Sequence, residues 1–86
     1  MKHLIISFKS RNSLYSFSKV LKLNGINHST VNTPRSISTS CGLSLQIDYR
    51  YLNFVKSLII SSNSLNLVGV FVKSYNLGYE RFEKIF

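Results

Sequence analysis

"HLIISFKSRNSLYSFSKVLKLNG", residues 3–25, changes its period halfway along, and that change decides the fold. Over residues 3–8, Leu4, Ile6 and Phe8 fall on every second position, the pattern of a strand with one face turned inward. From Leu14 the apolar positions are Leu14, Phe17, Val20 and Leu21, the spacing of a helical stripe. Between the two patterns, Ser10 or Asn12 offers a side-chain oxygen to the open N–H groups of a first helical turn. Gly25 suits the left-handed residue that closes such a helix. A strand running straight into an amphipathic helix is half of a crossover unit.

The remaining chain extends this unit. Residues 26–31, "INHSTV", have the look of a weaker, more polar strand at a sheet edge. A loop follows over 32–42, and then Leu43, Leu45 and Ile47 alternate as a third strand. Asp48 can cap a second helix whose buried stripe is Leu52, Val55, Leu58 and Ile59, and which gives way around "SSNS". Residues 65–73, "LNLVGVFVK", form the most apolar strand, with Val68, Val70 and Val72 on one side and Leu67 and Phe71 on the other. In the tail, Tyr79, Phe82 and Phe86 recur at i, i+3 and i+7, which predicts a short amphipathic helix covering exposed sheet. The order is βαββαβ, an α+β chain. Right-handed crossovers close this order most simply into a ferredoxin-like split-βαβ sandwich. The expected sheet is four-stranded and antiparallel with strands 1 and 3 central and both helices on one face. One domain over 1–73 would carry a C-terminal extension over 74–86.

Composition narrows the function classes. At 86 residues there is room for one modest core. Apolar residues are 44% and charged residues 16%, which excludes a disordered polyelectrolyte. Eleven Lys and Arg face Asp48, Glu80 and Glu83, a net charge of +8. That field favours acidic partners, although the cations are scattered and no basic arm exists. One cysteine excludes an internal disulfide framework and leaves no second thiol to resolve an oxidised first one. The apolar stretch Leu4–Ile6 is too short for a signal-peptide core, and no apolar run has membrane-spanning length, so the expected home is a reducing cytoplasm.

The chemistry concentrates in the loop, "NTPRSISTSCGLSLQI" at 32–47. Cys41 is the candidate nucleophile, because a thiolate forms where positive charge or hydrogen-bond donors favour it. Arg35 supplies a cation and a partner for anions, and Ser36, Ser38, Thr39 and Ser40 supply hydroxyls. Gly42 lets backbone or partner approach closely, Pro34 stiffens the loop entrance, and Ile37 anchors the loop on the core. Topology puts this loop at the end of the sheet where strand 1 turns into helix 1, so Lys9 and Arg11 would support Cys41. The competing reading is plain packing, since free cysteine is among the most buried residue types. His3 and His28 lack companions at ligand spacing, so no metal site or cofactor is expected. A Cys41–His28 pair is conceivable across the strand 2–3 hairpin, but an inward edge histidine more often packs. βαββαβ is also the topology of RNA-recognition motifs, which stack bases on central-strand aromatics. Here the corresponding positions are His3, Ile5, Ser7, Ser44 and Gln46, so base stacking by the sheet is not expected.

These residues resemble a family. "LIISFKSRNSL" at 4–14, "LKLNGI" at 21–26 and above all "TPRSISTSCGLSLQI" at 33–47 are similar to small bacterial proteins described as selenium/sulfur carrier-like. The resemblance spans about residues 3–73; His28 and Thr30 depart from its usual aliphatics in strand 2. It implies that Cys41 holds sulfur or selenium as a persulfide-type adduct, loaded by a cysteine desulfurase and unloaded by an acceptor enzyme. A carrier rather than a stand-alone enzyme is the expected class. The alternatives are a thiol redox protein or sensor using Cys41, and a basic binding module for nucleic acid or acidic proteins. No membrane partner is expected. An open sheet face would invite a homodimer.

Overall fold

The computed structural model describes residues 2–34, 37, 42–61 and 67–85. Within them the chain runs β1 (His3–Phe8), α1 (Arg11–Leu23), β2 (His28–Asn32), β3 (Leu43–Asp48), a 3-10 turn (Tyr49–Tyr51), α2 (Leu52–Ser61), β4 (Leu67–Asn76) and β5 (Tyr79–Lys84). The strands form one antiparallel sheet in the order β2-β3-β1-β4-β5. The expected four-stranded sheet is thus corrected to five strands.

The period change in the first 25 residues produces the elements it predicts. Ser10 caps α1 in extended backbone, its Oγ accepting the Ser13 N–H at 3.3 Å. At the far end Gly25 takes φ +71°, and its N–H donates to Lys22 O at 3.1 Å. Leu14, Phe17 and Leu21 are the buried residues of α1. They meet Leu4, Ile6 and Phe8 of β1, Leu45 and Ile47 of β3, Val70 of β4 and Val55 of α2 in one cluster. Leu52, Leu58 and Ile59 pack against it, so both helices cover the same face. Asp48 accepts the Arg50 N–H at 2.9 Å and thereby starts the 3-10 turn that leads into α2.

Two corrections lie in β4 and the tail. Ser7 pairs with Gly69 but Phe8 pairs with Leu67, so Val68 is an extra residue opposite the end of β1. Such a bulge reverses the side-chain alternation beyond it. Leu67 therefore packs on the helix-side core, not on the opposite side with Phe71. The tail is not a helix. β4 continues to Asn76, turns through Leu77 (φ 53°) and Gly78 (φ 84°), and returns as β5. Two successive positive-φ residues are the geometry of a tight hairpin turn, which twists in the sense the strands require. The sheet thereby runs on through position 74, where the extension was expected to begin. Among the described residues no helix is long and apolar enough to cross a membrane.

Candidate functional site around the strand 2–3 loop

The register fixes where the loop emerges. Ser7 pairs with Ser44, and Asn32 with Leu43, so the chain after β1, the end of β2 and the start of β3 share one end of the sheet. Lys9 and Arg11 flank the Ser10 cap at that end, both exposed. The acidic residues are all elsewhere. Asp48 ends β3 at the opposite end, Glu80 pairs with Tyr75 near that same far end, and Glu83 lies across the sheet on β5. The Asp and Glu side chains thus lie away from the loop end, which carries Lys9 and Arg11.

The base of the loop is a closed neck. The Thr33 N–H donates to Gly42 O at 2.9 Å, and the Ile37 N–H donates to Pro34 O at 3.0 Å in a turn. Gly42 is exposed with φ +72°, and nothing lies within 4 Å of where a Cβ would stand. Its constraint is therefore backbone conformation and not space. Gly42→Ala is expected to destabilise the fold by about 1–2 kcal/mol, the cost of a left-handed L-residue. Chemical denaturation checks this, and a neutral result would contradict a strained neck.

Beneath the neck lies a row of hydroxyls on the sheet face turned away from the helices. Ser7 Oγ and Ser44 Oγ are 2.8 Å apart, and Thr33 Oγ1 reaches Ser44 Oγ at 2.7 Å. Ser7 and Ser44 have no exposed surface, and Ile5 on the same face is 1% exposed. Ile37 is buried too, and like Ile5 it stands outside the helix-side cluster. Thr33 brings the loop base over the sheet at the hydroxyl row. Ile5, Ser7 and Ser44, taken from the sequence as open platform positions, are buried. The signal that could have revealed this was the pairing of two serines opposite each other on neighbouring central strands.

Among the expected site residues, Lys9, Arg11, Pro34, Ile37 and Gly42 belong to this end of the fold. Arg35, Ser38, Thr39, Ser40 and Cys41 lie outside the described residues. His28 is committed to packing. Its Nδ1 donates to Ile26 O at 3.0 Å, and its Nε2 is hydrogen-bonded to the Ser18 hydroxyl. With both nitrogens engaged, the imidazole ties β2 to α1, while its conceivable partner Cys41 lies outside the described residues.

No curated protein and no solved structure matches the chain. Residues 3–71, from the first residue of β1 into β4 and including the whole loop, match the family described as "Putative Se/S carrier protein-like", and the chain belongs to that family.

Proposed function

We propose that the protein is a sulfur or selenium carrier that holds the atom on Cys41 between a donor and an acceptor enzyme in a reducing cytoplasm. The observation that carries this reading is the family match over residues 3–71, which takes in the loop with the only cysteine of the chain. We read β1–β4 with α1 and α2 as a ferredoxin-like unit to which β5 is added. In the proposed cycle the Cys41 thiolate attacks the terminal sulfur of a persulfide on a cysteine desulfurase. A new S–S bond forms on Cys41, the donor's S–S bond breaks, and its electron pair stays on the donor cysteine as thiolate. The terminal sulfur keeps its proton, and no net oxidation occurs. An acceptor thiolate removes the atom by the same displacement and returns Cys41 to the thiolate. Without a second thiol in the chain, no internal disulfide can discharge the adduct.

Lys9 and Arg11, with Arg35 on the loop, favour the anionic sulfur electrostatically, and the Ser38, Thr39 and Ser40 hydroxyls with Gly42 would shape its surroundings. The test is loading. Incubated with a cysteine desulfurase and cysteine, the protein should gain the mass of one sulfur atom, removable by reductant and absent in Cys41→Ser. No gain under conditions that load an established carrier would overturn the reading.

A further inference from the structure

Among the described residues β5 is a free sheet edge, and its charges are antisymmetric about Phe82. The strand reads Tyr79-Glu80-Arg81-Phe82-Glu83-Lys84. It holds two of the three acidic residues of a chain with net charge +8, each next to a cation. About Phe82, glutamate at 80 mirrors lysine at 84, and arginine at 81 mirrors glutamate at 83. Within the monomer, Glu80 reaches Lys73 at 3.8 Å, while Arg81, Glu83 and Lys84 form no ion pair among the described residues.

The backbone decides which register is available. The Ile85 N–H donates to Val70 O at 2.9 Å. Hydrogen-bonding groups alternate sides along a strand, so those of Arg81 and Glu83 point to β4. Those of Glu80, Phe82 and Lys84 then point outward, unpaired among the described residues. A second copy adding antiparallel across a two-fold axis normal to the sheet must keep each residue on its own face, so only even registers are allowed. Centring on Glu80, Arg81, Glu83 or Lys84 sets a charge directly against itself. Centring on Phe82 sets Glu80 against the partner's Lys84, Arg81 against its Glu83, and Tyr79 against its Ile85. That single register turns every opposed charge into an attractive pair. It also covers Tyr79, which is 76% exposed in the monomer.

We propose that the protein is a homodimer formed by β5 pairing with β5 of a second copy about Phe82, giving a continuous ten-stranded sheet. β5 lies beyond the residues that match the family, so this interface belongs to this chain's own C-terminal hairpin. The two β2–β3 ends would stand seven strand spacings apart across the sheet, roughly 30–35 Å, and at opposite ends of it along the strands. Neither cysteine loop could serve as the other's resolving partner. The proposal does not rest on the carrier reading, because neither Cys41 nor its loop takes part.

The test is a charge swap followed by sedimentation equilibrium, with circular dichroism to confirm folding. Arg81→Glu and Glu83→Arg should each weaken dimerisation about tenfold or more, since each creates two like-charge oppositions across the two-fold axis. The double variant should restore it. Phe82→Cys in a Cys41→Ser background should form an interchain disulfide on mild oxidation, because directly opposed Cα atoms lie within bridging range, while Glu80→Cys in the same background should not. A wild-type protein monomeric at high micromolar concentration would overturn the proposal. So would single variants without effect, or a double variant that fails to recover.

Discussion

Replacing Phe8 by alanine should cost about 3–5 kcal/mol, the range for removing a buried aromatic from a packed core. Phe8 ends β1 on the helix side with no exposed surface, and its ring sits 5.5 Å from that of Phe17, tilted by 49°. It also faces Leu67 where the β4 bulge begins, so three elements lean on one side chain. The loss has two parts. The ring's transfer energy disappears, and a cavity remains because a strand pinned between two others cannot collapse inward. Small domains have only about 5–15 kcal/mol in all, so the variant would be largely unfolded under mild denaturant. A denaturation midpoint close to wild type would show that Phe8 is not central to the core. Phe8→Leu, which keeps most of the volume, should lose far less.

The same region shows why much of the fold could be read from the sequence. In residues 3–25 most levels agree: Leu4, Ile6 and Phe8 on the helix side, a capping serine at 10, a stripe in which Leu14, Phe17 and Leu21 are buried and Val20 is only half-buried, and glycine at 25; only Ile5 and Ser7 depart, buried on the other face of β1. Local preference and burial there point the same way, which makes a sequence readable. β5 broke that agreement. Tyr79 and Phe82 are three apart and imitate a helix, while true alternation is weak because an edge strand buries little on either face. The turn was hidden too, since Leu77 occupies a positive-φ position where asparagine would have announced a hairpin. Leu67 was placed on the wrong face because nothing in "LNLVGVFVK" marks which residue the bulge will absorb. At the loop, topology did put Lys9 and Arg11 at the same end as Gly42. The burial of Ser7 and Ser44 was not legible, because serine is mostly an exposed residue and only its cross-strand partner explains the exception.

That exception yields the second large effect, Ser44→Ala. A serine hydroxyl has one proton and two acceptor sites, so Ser44 can donate to one neighbour and accept from the other. Its removal leaves Ser7, fully buried, without the partner at 2.8 Å, and releases Thr33 from the sheet. A buried hydroxyl left unpaired costs about 1–3 kcal/mol, whereas deleting both members of a buried pair can be almost neutral. Ser44→Ala should therefore destabilise by that amount, and adding Ser7→Ala should return part of it, with a coupling of about 1 kcal/mol between the two sites. The loop should report the change locally. Thr33 donates its N–H to Gly42 O at the neck, so faster hydrogen exchange of that amide is expected in Ser44→Ala beyond what global destabilisation explains. Additive single effects, or exchange at Thr33 that only follows global stability, would mean the hydroxyl row does not hold the neck. Coupling with selective exchange would mean that the end of the sheet bearing Lys9 and Arg11 and the base of the cysteine loop are held together by side-chain hydrogen bonds on the helix-free face. The helix-side core and the loop would then be separable. Phe8→Ala would weaken the whole fold, while Ser44→Ala would loosen the neck within a fold that still stands.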